Sequence, residues 1–306
     1  MRTIDEDAAL PNDACGVVWA IGNFDGLHRG HHALFKHARA VAAAHDCLSG
    51  VLTFDPHPAR ILNPALAPPL ILTAAEKQGG IAAAGIDVYR VLRFDHALAS
   101  LSATEFCRRV LVEGMLARGV VVGEGFRFGH HAAGTVADLR AALAVVDEVS
   151  PVKEGDLVCS SSKIREFVLA GRVDAAAMLL GRPYFLDGIV VEGDKRGRAI
   201  GVPTANLLVT RELLPRVGVY ATRAFLPDGR VFASVTNIGL RPTFQGQDVR
   251  IEVHLLGFSG DLYGSRLGVD VIHRIRDEMR FDGAPALVDQ IRRDIEAARA
   301  CLASSS

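Results

Sequence analysis

The chain has little cysteine, almost no net charge and no long apolar run, and each shortage removes a class of protein. Its five cysteines (Cys15, Cys47, Cys107, Cys159 and Cys301) are odd in number, scattered, and form no Cys-x-x-Cys pair. That pattern argues against a disulfide framework and against a structural zinc site. Lys and Arg total 34 against 35 Asp and Glu, a formal net charge of −1. No overall positive field therefore invites nucleic acid or an anionic membrane. No apolar segment approaches the roughly 18 residues of a membrane span. Residues 1–11 carry charge in place of an apolar stretch, so no secretory signal is expected and a cytoplasmic protein is. Repeats and low-complexity segments are also missing. What remains is 306 residues of ordinary globular composition, 49% hydrophobic and 23% charged, long enough for two domains.

The first half alternates strand and helix patterns. Val17–Ile21 reads as a buried strand, 31–45 as an Ala-rich helix, and 48–54, 86–92, 119–123 and 145–152 as further strands. Asp55-Pro56-His57-Pro58 reads as a loop, because proline cannot continue a ladder. Thr73 with Glu76 and Ser102 with Glu105 fit the capping box, so a helix is predicted after each. Residues 160–180 predict two short helices broken near Gly171. Apolar strands alternating with helices predict a parallel sheet covered on both faces.

After Gly181-Arg182-Pro183 the period changes. Short β segments at 188–192, 218–225, 230–236, 250–256 and 267–275, with a turn at Pro227-Asp228-Gly229, predict a small antiparallel barrel. An amphipathic helix closes the chain, with Leu287, Ile291, Ile295 and Leu302 on one stripe. The expected fold class is α/β plus β, with domains at 1–183 and 184–306.

Two segments carry anion-handling chemistry. Gly22-Asn23-Phe24-Asp25-Gly26-Leu27-His28-Arg29-Gly30-His31 joins a parallel strand to a helix, the place where ligands bind in open α/β sheets. It is neither a dinucleotide Gly-x-Gly-x-x-Gly nor a Walker A loop. It offers two imidazoles three residues apart, able to donate to oxygens that gain charge as a phosphate bond breaks. Surface histidines at a helix start, or a metal site lacking an identified third ligand, are the other readings of His28 and His31.

These residues, with Thr53-Phe54-Asp55-Pro56, Val121-Val122-Gly123, Phe126-Arg127-Phe128-Gly129 and Ser160-Ser161-Ser162-Lys163-Ile164-Arg165, resemble prokaryotic bifunctional riboflavin kinase/FMN adenylyltransferases (FAD synthetases). The resemblance runs from about Val17 to the C-terminal helix. It implies a Rossmann-like nucleotidyltransferase domain in which Gly22, Phe24, Asp25, Gly26, His28, Gly30 and His31 meet ATP. Ser160, Ser161, Ser162 and Arg165 would hold the triphosphate. The phosphate of FMN would attack the α-phosphorus in line and pyrophosphate would leave, with no protein nucleophile. Serines here also suit a helix N-cap, and Cys159 suits packing. The chain departs from the family pattern at two positions. Gly125 stands where an Asn or Asp is usual, and Thr135 where an acidic group is usual. His130 and His131 are alternative donors or a solvated pair.

The second segment resembles the riboflavin kinase domain. It contains Gly193, Lys195, Gly197, Arg198, Gly201, Pro203, Thr204 and Asn206. The resemblance implies glycines wrapping the phosphates of ATP and Mg²⁺ held by Thr204 and Asn206, oxygens suited to a hard cation. In residues 250–256 the alternation puts Glu252 and His254 on one strand face and Ile251, Val253 and Leu255 on the other. The family match makes Glu252 the general base, and His254 reads as a structural hydrogen-bonder. Asn237, Arg276, Glu278 and Phe281 fit flap and flavin-contacting segments; Phe281 packs either on the flavin or between helix and barrel. The implied function is ATP-dependent conversion of riboflavin to FMN and then to FAD, with small-molecule partners and at most weak self-association. A riboflavin kinase with an inactive first domain, and a flavin-binding protein without turnover, are the alternatives.

Overall fold

In a computed structural model, which describes residues 1–4, 16–193, 197, 201–243 and 246–303, the first of two units (Met1–Ser160) is built on a six-stranded parallel sheet. Its strands are β1 (Arg2–Ile4), β2 (Val17–Ile21), β3 (Leu48–Asp55), β4 (Val88–Arg93), β5 (Ala117–Gly123) and β6 (Val145–Val149). The helices are α1 (Arg29–Ala44), α2 (Pro58–Leu62), α3 (Ala74–Ala83), α4 (His96–Ala99), α5 (Ala103–Glu105) and α6 (Val136–Ala142). A π-helical stretch, Phe106–Gly114, continues α5, and a hairpin of β7 (Lys153–Glu154) with β8 (Leu157–Val158) follows β6.

Every residue of β2 is buried, which is why it reads as an unbroken apolar run. Trp19 packs with Phe106, Leu111 and Met115, and its indole N–H donates to the Met115 carbonyl at 3.0 Å. Truncating a fully buried Trp of this kind costs about 3–5 kcal/mol.

The strand order β1-β4-β3-β2-β5-β6 positions the site. From β2 the chain steps outward through β3 and β4, then returns to pair β5 with the other side of β2. That reversal opens a crevice beyond the carboxyl ends of β2 and β5, where open α/β sheets take their ligands. The loops leaving those two strands carry residues 22–28 and Gly125.

The second unit (Ser161–Ser306) begins with α7 (Ser161–Leu169) and α8 (Val173–Leu180). Six antiparallel strands then close a barrel in the order β10-β13-β12-β11-β14-β9. They are β9 (Tyr184–Val191), β10 (Ala205–Val209), β11 (Gly218–Phe225), β12 (Val231–Thr243), β13 (Gly246–Leu255) and β14 (Arg266–Arg276). The terminal helix α9 (Ala284–Ala303) buries Ala298 and Leu302 against Val219, Ala221 and Val235 of the barrel.

Most expected elements are present, including both capping boxes and the turn at Asp228-Gly229. Several bounds differ, β9 and β13 each starting four residues ahead of the expected strand, and three differences have plain physical reasons. The expected loop at 55–58 is shorter: Asp55 still pairs with Arg93, and Pro58 starts α2, a helical position where a missing N–H costs nothing. The strand expected to 152 ends at Val149, ahead of Pro151, and the Val152 carbonyl instead accepts from the Cys159 N–H. The strand expected at 230–236 runs on to Thr243, because β13 pairs with it along its length. Strand β10 was not expected, since no strand is predicted between 192 and 218.

Candidate active sites

At the first site the chain folds back on itself between β2 and α1. Phe24 (φ 49°) and Leu27 (φ 45°) take left-handed backbone values beside Gly26 (φ 92°). Both side chains are buried, so packing holds a conformation that non-glycine residues otherwise avoid. Gly22 donates its N–H to the Leu52 carbonyl at 3.1 Å. Asp25 is buried, and its carboxylate accepts from Ile71 N–H at 3.1 and 3.0 Å and from Leu72 N–H at 3.0 Å. Asp25 thus clamps the loop to the segment leading into α3. Asn23 is held as well: its carbonyl accepts from Thr53 Oγ1 at 3.2 Å and Lys77 Nζ at 3.0 Å.

His28 precedes α1 and His31 lies in its first turn. Their rings stack, with centroids 3.6 Å apart and planes 23° from parallel, and Phe24 meets His31 edge-on. Gly30 leaves room for this: a Cβ there would come within 3.0 Å of the His28 ring. Burial, with His32 adding, lowers the His28 pKa to about 4. His31 is pushed well below the usual histidine range by burial, then by His28, His32 and Lys77. Both rings are therefore neutral at pH 7. Each buries a Nδ1 with no hydrogen-bond partner among the described residues. Lys77, on α3, is itself lowered by burial, opposed by Asp25 and Asp55. Nothing in the sequence marks it beyond its place one turn after the capping box.

Ser160 ends the first unit, while Ser161, Ser162 and the buried Arg165 stand in α7 of the second. Cys159 is buried and its thiol is raised by that burial, which suits packing over reactivity. Gly125 (φ 73°) has nothing within 4 Å of where a Cβ would lie. Thr135 is the start of α6: its N–H and Oγ1 both donate to the Asp138 carboxylate at 2.8 Å. His130 and His131 are exposed, with rings 3.9 Å apart, a solvated pair.

The second site is a cavity of about 430 Å³ in the barrel unit. Its wall includes Gly193, Gly197, Pro203, Thr204, Asn206, Asn237, Glu252, Arg276, Glu278 and Phe281, so nearly the whole expected constellation converges there. Lys195 and Arg198 lie outside the described residues. Gly201 is described and is not among the lining residues. The register explains the convergence: Glu252 of β13 stands opposite Asn206 of β10 on one side and Asn237 of β12 on the other. The pleat turns Arg250, Glu252 and His254 toward the cavity while Ile251, Val253 and Leu255 are buried.

The neighbours fix these groups. His254 Nδ1 donates to the Pro203 carbonyl at 2.7 Å, holding the turn that presents Thr204. Gly193 leaves the Asn206 amide its place: a Cβ would come within 2.1 Å of Asn206 Nδ2 and force the amide to move. Arg276 Nε and a terminal nitrogen reach both oxygens of the buried Asp294 carboxylate on α9, at 2.9, 3.1 and 2.7 Å, and Gln290 adds a donor at 2.9 Å. Phe281 lies under the Arg276 guanidinium, 5.9 Å from its centroid. Arg250 and Asp294 are the residues that sequence reasoning missed. Among the described residues no cluster of three or more His, Cys, Asp or Glu side chains could hold a metal. Thr204 and Asn206 offer neutral oxygens on the cavity wall.

The comparisons agree with this division. The family model described as FAD synthetase matches residues 10–163, and the one described as riboflavin kinase matches 180–302. A bifunctional riboflavin kinase/FMN adenylyltransferase of Pseudomonas fluorescens is 39% identical over 298 residues, 95% of this chain and 94% of its own. The one from Escherichia coli (strain K12) is 35% identical over 303 residues, covering 98% and 96%. A solved structure described as a macrolide-efflux protein from Streptococcus pneumoniae shares the fold, with a TM-score of 0.88 and 33% identity over 97% of this chain and 98% of that one. No described helix is long and apolar enough to cross a membrane. The chain belongs to the family of bifunctional riboflavin kinase/FMN adenylyltransferases.

Proposed function

We propose that the barrel unit phosphorylates riboflavin with Glu252 as general base, and that the first unit joins the resulting FMN to an adenylyl group. The observation that carries this reading is the cavity that gathers Glu252, Asn206, Asn237 and Thr204 on adjoining strands. Glu252 accepts the proton of the ribityl 5′-hydroxyl as that oxygen bonds to the γ-phosphorus of ATP and the bond to ADP breaks. Thr204 and Asn206 fit Mg²⁺: they offer neutral oxygens, and Gly193 leaves the space beside Asn206 that a side chain would fill. When bound, the ion would draw charge from the transferring phosphoryl group. Arg276, fixed by Asp294, and Phe281 bound the flavin end of the cavity, and Gly193 and Gly197 border the nucleotide.

In the first unit the phosphate of FMN attacks the α-phosphorus of ATP and pyrophosphate departs. His28 and His31 donate to the phosphate oxygens. Asp25 and Lys77 act one layer back by fixing the loop. We take the functional domains as 1–183 and 184–306. Both transfers consume ATP, so we place the enzyme in the cytoplasm. Incubating pure protein with riboflavin, ATP and Mg²⁺ and resolving flavins by chromatography tests the reading. FAD is the expected product. FMN alone would leave a kinase with a silent first unit, unchanged riboflavin would refute the kinase activity, and unchanged FMN in a parallel incubation with FMN as substrate would refute the adenylyl transfer.

A further inference from the structure

One side chain in the barrel cavity has no part in the roles above. Arg250 sits two residues before Glu252 on the cavity face of β13. Its Nε donates to Asn206 Oδ1 at 2.8 Å, and a terminal nitrogen lies 3.2 Å from Glu252 Oε1. Both residues of the ion pair are about three-quarters shielded, with side-chain exposures of 25% and 28%. A guanidinium only donates, so it selects the amide orientation that presents Oδ1 to it. The oxygen that Arg250 holds is the one that would ligate a divalent cation.

Resting on the reading that Asn206 is a metal ligand, we propose that Arg250 is a displaceable internal cation. With no metal bound it spans Asn206 and Glu252; binding of the metal–nucleotide complex moves it off Asn206 while it stays beside Glu252. The reason is electrostatic. A guanidinium and a divalent ion cannot share one amide oxygen in a half-buried site, because like charges a few ångströms apart repel strongly where solvent screens poorly. In the interim Arg250 does two useful things. It keeps Asn206 in its ligating orientation, and it balances the Glu252 carboxylate, which the metal site would otherwise leave facing neutral oxygens. Arg250 is therefore a positioning residue that competes with the ion it prepares for.

The test is calorimetric titration of the full chain with ADP, with Mg²⁺ present and with Mg²⁺ removed by chelation, comparing wild type with Arg250→Gln. The first site contributes equally to both proteins. The expected result is tighter ADP binding with Mg²⁺ in the variant, by about tenfold, with the Mg²⁺-free affinity unchanged. Arg250→Lys, which keeps the charge and loses the fork, should fall between the two and also serves if Arg250→Gln folds poorly. Unchanged Mg²⁺-dependent affinity would overturn the proposal. So would weaker binding with and without Mg²⁺, which would make Arg250 a direct phosphate ligand. Asn206→Ala separates this from the parent reading: if it leaves the Mg²⁺ dependence intact, the ligand assignment itself fails. If Asn206→Ala abolishes that dependence while Arg250→Gln changes nothing, only the competition fails.

Discussion

The two sites handle phosphate from opposite electrostatic starting points. The first presents a stacked pair of neutral imidazoles, each with a buried Nδ1 that lacks a hydrogen-bond partner among the described residues, beside a strained loop and backed by a desolvated lysine. The second presents charged groups already paired: Arg250 with Glu252 and Arg276 with Asp294. In the proposed role, the imidazoles of the first site would meet an incoming polyanion without their Nδ1 atoms surrendering a partner among the described residues. At the second, Arg250 already occupies the Asn206 oxygen, and the exchange proposed above would have it let go before a cation binds there. If both proposals hold, one chain contains both a preformed and an exchangeable way of balancing nucleotide charge.

The sharpest break between them is by substitution. Glu252→Ala should lower FMN formation by about 10²–10⁴-fold, the range for loss of a positioned general base, and leave FMN-to-FAD conversion intact. His28→Ala should do the reverse, with FAD formation falling about 10²-fold or more. Initial rates with riboflavin and with FMN as separate substrates check both. Asp294→Ala should cost about 3–5 kcal/mol of barrel stability, because it strands a largely shielded Arg276, and should raise the riboflavin KM. Denaturant melts and kinase kinetics measure the two effects.

A smaller effect sharpens the account of the histidines. His28 has a folded pKa of about 4 against 6.5 in the unfolded chain. Between those values the unfolded state binds a proton that the folded state refuses. Stability is then fully present above pH 6.5 and falls as pH drops toward 4, by up to about 1.4 kcal/mol per unit from this ring. His28→Gln should flatten that slope in urea melts at stepped pH. The smallest expected change is a gain. Gly125→Asn places an amide in open space at a left-handed φ that Asn tolerates, and should raise FAD formation a few-fold if the missing side chain orients substrate.

What could be read from the chain was local or periodic. The capping boxes at Thr73 and Ser102 are four-residue signals, and both helices begin there. The alternation around Glu252 is a pleat signal, and its burial pattern follows it. Lys77, Arg250 and Asp294 escaped because their partners lie 54, 44 and 18 residues away, at Asn23, Asn206 and Arg276. Strand β10 escaped because five residues flanked by a glycine-rich segment carry too little pattern to stand against their loop-like neighbours. Its identity as a strand depends on β9 and β13, which pair with it from either side. Thr135 escaped differently: as a departure from the family it looked like a loss, yet its hydroxyl binds Asp138 at a helix start.

Mixing the two crippled proteins tests the central claim, two separable transfers on one chain, most directly. Glu252→Ala given riboflavin, ATP and Mg²⁺ should make neither product, and His28→Ala should stop at FMN. Combined in one tube, they should restore FAD, because FMN made by one barrel serves the other protein's first unit. A mixture that yields no FAD, with each protein folded and the second still making FMN, would contradict it.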